Sequence, residues 1–456
     1  MYTFAHPIED SLENITHSIC TLEFDDQRAF YDWALERIVP VLRTPQYEEA
    51  KRIIADMAEG KDDRALAFAR AAYNAAEKLG QSEPEAAMRE IFGRWAATGG
   101  PETLEGTEGK SFFTLLQMHT ENFTPLLQSA LSVVRHNFFL LSHQYEFNRL
   151  SLTYVVLSKR KLISLVQQGL VDGWDDPRMP TLVGLRRRGY TAAAIRNFCE
   201  MIGVGKTPSV IEYGTLEHCL REDLNATAER TMAVLHPVKL TVTNYPEGKS
   251  EVFSVENNPT DPTQGTHDIT FSRHLWIEAD DFMEIPVPKY KRLTPDGLEC
   301  RLKGAYLVKC TGCVKDENGN VTEVLCEYDP DSRGGDPADG RKVKGATLHW
   351  VDAENCLDAE VRLYDNLFSD ATPDGPDKDF LDCLNPGSLT VLTGCKAEPE
   401  MRKVAAEFDK QENRTGVNAP TFQFMRVGYF CLDNRDSTAE HLVFNRSVSL
   451  KDSFKK

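Results

Sequence analysis

The chain has no apolar run approaching the ~20 residues that a membrane-crossing helix needs, which sets aside an integral helical membrane protein. Its amino terminus, Met1-Tyr2-Thr3-Phe4, lacks the cationic and apolar regions of a secretory signal. Basic residues are in deficit: 52 Lys and Arg stand against 70 Asp and Glu, a formal net charge of −18. That balance argues against a general positive coat for nucleic acid. It leaves room for a local basic track, because surface potential follows where charges cluster. Eleven cysteines show no disulfide-framework spacing, which points to a reducing, cytoplasmic compartment. Cys310-Thr311-Gly312-Cys313 is a lone C-x-x-C in a strand-like run, and Cys300 and Cys326 lie at spacings poor for zinc. These are read as strand cysteines, with no metal site. What the chain does have is size: 456 residues, 41% of them apolar, can bury ordinary cores in about two to four domains.

The stretch HQYEFNRLSLTYVVLSKRKL, residues 143–162, runs from polar and aromatic residues into an apolar segment and then switches to Ser158-Lys159-Arg160-Lys161. An apolar stripe follows at Leu162, Ile163, Leu165 and Val166. This pattern predicts an amphipathic helix with Ser158 as its N-cap. Three cations in a first turn run against the helix dipole, whose N-terminal end favours anions. A bound polyanion would suit both the cations and the free amides; a solvated basic turn is the alternative.

The pair QYEFNRL and VLSKRKL resembles the second signature of class I aminoacyl-tRNA synthetases, in the form used by glutaminyl-tRNA synthetases. In that family a Lys-Met-Ser-Lys-Ser loop is relaxed to a Met-Ser-Lys-Arg type. Here it stands as Val156-Leu157-Ser158-Lys159-Arg160, with Leu in place of a Met of similar volume. The resemblance implies ATP contacts from Arg149, Leu150, Leu157, Ser158 and Lys159. Ser158 and Lys159 would be the catalytic pair, stabilising pyrophosphate as it leaves and the amino-acid carboxylate attacks the α-phosphate. HPIEDSLENITHSICTLEF and YDW, residues 6–24 and 31–33, resemble the same family. This implies Tyr2, His6, Cys20 and Phe24 around glutamine, with Thr21 against ATP. Taken alone, His6 and His17 read as structural histidines as well as bases or ligands. Cys20 bears on the substrate. The sister glutamyl enzymes tend to place Arg before this Thr, where it would pair with a carboxylate. A neutral thiol suits a neutral amide, which favours glutamine over glutamate.

Two departures from the family stand out. The His-x-Gly-His signature and the first βαβ units are absent from the 456 residues. The expectation is that this chain does not form adenylate unaided, unless another chain supplies that half. The second departure is residues 37–142, where the family runs almost directly from YDW to QYEF. Residues 46–57, 62–79 and 83–97 have helical spacing, Gly99-Gly100-Pro101 and residues 106–109 break it, and 111–141 is strongly apolar. The insert is either a self-contained helical bundle or a docking surface for a protein partner.

Residues 151–232 read as helices with short breaks. Asp175-Asp176 is expected to cap the next helix and to hold Arg178. Thr191 is expected to cap 192–201, residues 216–224 to form another helix, and Arg186-Arg187-Arg188 to form a dense basic patch. GWDDPRMPTLVGLRRRGYTAAAIRNFCEMIGV resembles the family's α-helical connector. From 233 onward the texture is β, with strands expected at 238–243, 254–257, 269–271, 274–277, 301–308, 321–328, 346–351, 361–364, 389–392, 422–430 and 442–448. A hairpin turn is expected at 316–320 and a helix plus loop within 394–420. Many short strands at such spacing indicate antiparallel barrels. This half resembles the two C-terminal barrels of the family, the distal one at about 289–415. The resemblance implies that Asn225, Arg230, Lys291, Arg292, Arg301, Gln423 and Arg426 read the anticodon, as splayed single-stranded bases require. Without it, each Arg is a surface cation.

The expected fold class is therefore α+β and multidomain. Residues 1–36 are a remnant of a Rossmann-like catalytic domain, 37–142 the helical insert, 143–232 the signature loop and connector, and 233–456 the two barrels. The implied function is a glutamine–tRNA ligase using ATP with Mg2+, L-glutamine and tRNA(Gln). The alternative is a catalytically incomplete tRNA-binding fragment of such an enzyme.

Overall fold

A computed structural model describes residues 2–13, 15, 17–42, 142–295 and 297–451. The helices expected at 46–57, 62–79 and 83–97, and the apolar stretch 111–141, lie outside the described residues. The chain divides into two compact units: Met1–Arg149 with Val204–Pro208, and Leu150–Gly203 with Ser209–Lys456. Among the described residues no helix is long and apolar enough to cross a membrane.

The first unit is built on a strand pair flanked by helices. Helix Tyr2–Leu12 leads to strand His17–Thr21, a 3-10 turn Leu22–Gln27 and helix Arg28–Leu42. The strand pairs in parallel with His143–Phe147, far along the chain. Tyr31, Ala34 and Leu35 are buried, the stripe that spacing of three and four residues puts on one helix face. Asp10 and Ser11 sit within the first helix. Asp10 is spent on a tertiary bond: the Tyr31 hydroxyl donates to it at 2.7 Å.

In the second unit the helices are Lys159–Gln167, Leu182–Arg187, Ala192–Ile202 and Tyr213–Thr227. The Thr191 hydroxyl accepts from the Ala194 amide, as its position predicts. Asp175-Asp176 does not cap the preceding helix of this pair. Thr181 does, accepting from the Gly184 amide. Asp176 instead accepts from the amides of Asp172 and Arg178 and from the Arg178 guanidinium at 2.7 Å. The expected basic patch is also corrected. Arg187 and Arg188 are buried, and Arg187 donates to Asp433 and Asp436, each at 3.0 Å. Three consecutive positions of a helix end point in different directions, so an arginine run need not form one face.

The β region forms two seven-stranded sheets. One runs, in spatial order, Thr347–Leu348, Cys300–Leu302, Leu307–Lys315, Val321–Tyr328, Pro237–Val242, His274–Glu278, Val351–Asp352. The other runs Glu229–Thr231, Thr421–Phe424, Gly428–Leu432, Leu442–Ser449, Leu357–Tyr364, Leu389–Ala397, Ala233–Val234. In each, the two outermost strands are neighbours in sequence. Leu348 and Val351 are three residues apart, within about 11 Å along the chain, and only Met232 separates the other pair. Each sheet must therefore curl until its edges approach. Both include parallel pairs, Val321–Tyr328 with Pro237–Val242 and Leu357–Tyr364 with Leu442–Ser449, so neither is purely antiparallel. One sheet takes its strands from within 237–352 and the other from 229–234 and 357–449, so the chain passes between the sheets after Val234 and again after Asp352.

Three expected strands are broken in two, the 346–351 run dividing into Thr347–Leu348 and Val351–Asp352. The 301–308 run turns at Gly304, φ +73°, and the 422–430 run turns at Arg426, φ +67°. Apolar alternation continues through both turns and hides them. The 316–320 turn forms as its sequence dictates: Asp316 accepts from the Asn318 and Asn320 amides and Gly319 takes φ +84°. Helix Glu400–Asp409 fills the charged segment after Leu389–Ala397. Cys310 faces Cys326 across a strand pair, and burial pushes the Cys300 thiol up to about 11. Among the described residues no three His, Cys, Asp or Glu side chains converge to hold a metal.

Asp433 has no exposed side-chain surface and accepts from Arg187, from Asn445 and from the Arg435 and Asp436 amides. Asp433→Ala is expected to lower the unfolding free energy by about 3–5 kcal/mol, because buried Arg187 loses its fully buried counter-ion and keeps only the partly exposed Asp175 and Asp436. Urea denaturation of the two proteins measures it.

Candidate functional site

In the first unit the parallel register places Cys20 opposite Glu146 and Thr21 opposite Phe147. Ser18 and Cys20 share one strand face. His6 reaches that face, with Nε2 2.8 Å from the Ser18 hydroxyl and 3.1 Å from Asp10. Burial first, then the nearby Glu146 and Asp25 carboxylates, push the Cys20 thiol up, so it stays neutral. Glu146, missed in the sequence, anchors this neighbourhood. Its side chain is fully buried, and burial alone would raise its carboxyl. Hydrogen bonds from Lys206 at 3.1 Å and Gln144 at 3.0 Å, with Arg28 at 3.3 Å, outweigh that and hold it below the usual range. Gln144 also donates to the Phe24 carbonyl at 3.2 Å, tying the 3-10 turn to the strand pair. The signal was in QYEF, where Gln144 and Glu146 alternate on one side of a strand. Tyr2 opens the first helix, and its side chain lies outside the described residues. Arg149 is exposed just beyond the strand.

The second unit carries the remaining nucleotide residues. Strand Ser151–Leu152 pairs with Val210–Ile211, and the Thr153 hydroxyl donates to Glu212 at 3.0 Å while accepting from the Tyr213 amide. Tyr154 then takes φ +61°, its amide bonded to the Ala371 carbonyl at 3.0 Å. A left-handed aromatic residue costs about 1–3 kcal/mol and persists only where its surroundings impose it. Ser158 occupies the N-cap position of helix Lys159–Gln167, but its hydroxyl makes no capping bond. The expected cap is thus positional only, and among the described residues no side chain caps the first amides of the helix. The three cations also part company. Lys161 pairs with Asp374 and lies 5.2 Å over the Phe380 ring. Lys159 and Arg160 are exposed, with no hydrogen-bond or ion-pair partner among the described residues. Positive charge beside helix-terminal amides is an arrangement that favours an anion. Leu150 and Leu157 are partly exposed and line a cavity of about 160 Å3. The expected ATP set is divided between the units: Thr21 and Arg149 belong to the first, and Leu150, Leu157, Ser158 and Lys159 to the second.

The expected anticodon set lies in the second unit and gathers into two groups. Gln423 stands opposite Arg230 in the strand register. Arg230 is buried and donates to the Ala228 carbonyl at 2.6 Å and the Asn225 carbonyl at 2.7 Å. Gln423 donates to the Tyr429 hydroxyl at 3.0 Å, and that hydroxyl donates to Asn225 Oδ1 at 3.2 Å. Burial lowers the Arg230 guanidinium, and its acceptors among the described residues are amide oxygens rather than a carboxylate. Tyr429 was missed in the sequence. In the other group Arg426 binds Asp281 through two bonds of 2.7 Å, with Arg292 3.2 Å from the same carboxylate. Lys291 is exposed; its carbonyl accepts from Ala346, whose own carbonyl accepts from the Arg301 amide. Arg301 reaches the Gly335 carbonyl at 2.9 Å. None of these arginines is a lone surface cation.

The comparisons with known proteins agree in direction. The family described as tRNA synthetases class I (E and Q), catalytic domain, matches residues 1–77 and 118–226. Two families described as tRNA synthetases class I (E and Q), anti-codon binding domain, match 228–329 and 347–433. Over 455 residues the chain is 44% identical to a glutamine–tRNA ligase of Bordetella pertussis and 42% identical to one of Clostridium perfringens. A glutamine–tRNA ligase of Aliivibrio fischeri is 41% identical over 454 residues. Each match takes in 100% of this chain but only 59–62% of the relative, so the chain spans about three fifths of the relatives' length.

Glu146 has its folded-state carboxyl lowered, so it contributes stability above the ordinary carboxylate range, which is lost as pH falls through the folded value. Glu146→Gln is expected to flatten the acid side of the stability profile of the His17–Thr21 and His143–Phe147 pair. Hydrogen exchange of those strand amides between about pH 5 and pH 3 measures it, and a slope that Glu146→Gln leaves unchanged counts against the assignment.

Proposed function

Since the chain belongs to the class I tRNA synthetases of the E and Q type, we propose that it acts in the ATP-driven joining of L-glutamine to tRNA(Gln). The observation that carries this is the pair Lys159 and Arg160, without partners among the described residues, at an uncapped helix N-terminus downstream of the QYEFNRL stretch. A triphosphate laid there meets helix amides and fixed positive charge. Negative charge builds on the pyrophosphate as it leaves, and Lys159 stabilises it more in the transition state than before. Glutamine's carboxylate attacks the α-phosphorus; a terminal ribose hydroxyl of the tRNA then attacks the acyl carbonyl, and AMP leaves. Mg2+ would travel with the triphosphate, neutralising its charge, since among the described residues no protein ligand set is in place.

The glutamine assignment rests on the neutral Cys20 thiol beside the ionised Glu146. A second carboxylate beside Glu146 would be repelled, whereas an amide can donate to it. His6, Phe24 and Tyr2 complete the amino-acid set of the first unit, where Thr21 and Arg149 are assigned to ATP. We assign 143–232 as signature loop and connector, and the two curled sheets as anticodon-reading barrels. Asn225, Arg230 and Gln423 form one reading group and Lys291, Arg292, Arg301 and Arg426 the other. RNA bases would take over hydrogen bonds that amide oxygens and Asp281 now hold. The cytoplasm is the compartment this function implies, and the 37–142 insert is a candidate surface for a protein partner.

Glutamine-dependent ATP–pyrophosphate exchange by the purified chain tests the reading. Exchange supports a catalytic chain; salt-sensitive tRNA binding without exchange supports a tRNA-binding chain that does not activate glutamine. Lys159→Ala is expected to reduce adenylation by about 2–4 kcal/mol of transition-state stabilisation with tRNA binding retained, and equal loss of both would refute its role. Arg230→Ala is expected to weaken discrimination between cognate and noncognate tRNA first, as measured by competition binding.

A further inference from the structure

We propose that the second unit binds a small aromatic or branched aliphatic carboxylate in the cavity behind the 150–157 segment. The cavity encloses about 160 Å3, the size at which an apolar cavity holds a single benzene-like ring. Its walls are mostly apolar, with Leu152, Val155, Ile195, Phe198 and Leu216 prominent among them. One part of its lining is cationic and undersupplied with acceptors. Arg188 lines the cavity and is buried, and its Nε has no hydrogen-bond partner among the described residues. Its Nη2 lies 3.4 Å from the Tyr364 carbonyl and 3.9 Å from the Glu217 carboxylate, both long. Arg446 donates to the same Tyr364 carbonyl at 2.9 Å. A buried guanidinium and a partly buried one therefore converge on one carbonyl oxygen.

A buried donor without a partner is costly, and so is buried charge without a close counter-ion. A ligand with an anionic head and a compact apolar body answers both features at once. Ligands bearing an ammonium are disfavoured by the same field, which removes free amino acids, L-glutamine included. Arg178 also lines the cavity, but its guanidinium is occupied by Asp176 and Ser388, leaving Arg188 as the group that selects the head. The site lies beneath the segment whose ends are Leu150 and Leu157 and whose Tyr154 is held left-handed. Occupancy would therefore hold that segment in its present form. Any effect on ATP rests on the Lys159 reading; binding itself does not.

The test is titration calorimetry of the full chain with sodium benzoate, benzyl alcohol and benzylamine at constant ionic strength. Benzoate is expected to bind saturably, about tenfold tighter than benzyl alcohol, with no heat from benzylamine. Ile195→Phe fills the cavity from a helix wall and is expected to abolish benzoate binding without lowering the thermal midpoint. Arg188→Met is expected to bring benzoate and benzyl alcohol to equal affinity. Equal affinities for the unaltered chain, or benzoate binding that survives Ile195→Phe, would overturn the inference. Competitive displacement of benzoate by ATP would also overturn it, by making the cavity part of the nucleotide site, and would leave the Lys159 assignment standing.

Discussion

A carboxylate with no access to solvent, Asp433, joins the helices of the second unit to one of its sheets. Arg187 reaches it from the last turn of helix Leu182–Arg187, and Arg362 reaches it from strand Leu357–Tyr364 at 3.4 Å. Asn445 completes the contact, donating to Asp433 at 2.7 Å and to the Arg187 carbonyl at 3.0 Å. The approach is close enough that Gly189, φ +92°, has no room for a side chain: a Cβ there would collide with Ser447 and Cys431. Buried ion pairs are poor net stabilisers, since desolvation consumes most of the attraction. What this network supplies is registration. A helix shifted by one residue would present a different side chain to Asp433 and leave two charges buried without partners.

The acid surplus of the chain gives its cations meaning. With 70 acidic residues against 52 basic ones, partners are plentiful, and most arginines near the proposed sites are taken. Arg178 belongs to Asp176, Arg187 to Asp433 and Asp436, and Arg426 to Asp281. Lys159 and Arg160 remain without partners among the described residues in a protein that could have neutralised them. Arg230 is a different case, desolvated and bonded to amide oxygens alone. Such a guanidinium keeps a strong appetite for an acceptor of higher charge or better geometry.

Much of the candidate site was legible, and its failures share a cause. Residue types and order around 143–162 pointed to a polyanion place, and the structure keeps Lys159 exposed at a helix N-terminus. Ser158 was read as a capping hydroxyl, but position does not guarantee a hydrogen bond. Lys161 looked like its neighbours until Asp374 was brought beside it from 213 residues away. The arginine triplet read as one face, though burial sorted its members. Tyr429 and Glu146 were missed because each matters through strand neighbours distant in sequence.

The sequence by itself determined the local features: the Thr191 cap, the Asp316 turn with Gly319, the 321–328 strand and the alternating core of Val238, Leu240 and Val242. Each depends on residues within one turn or one strand, where backbone sterics and side-chain periodicity suffice. Only the tertiary structure decided that Glu229–Thr231 and Ala233–Val234 would lie at opposite edges of one curled sheet with a single residue between them. It alone decided which charges are consumed by the fold and which stay available. Those outcomes turn on burial and on pairing between residues hundreds of positions apart, and no local pattern encodes the partner.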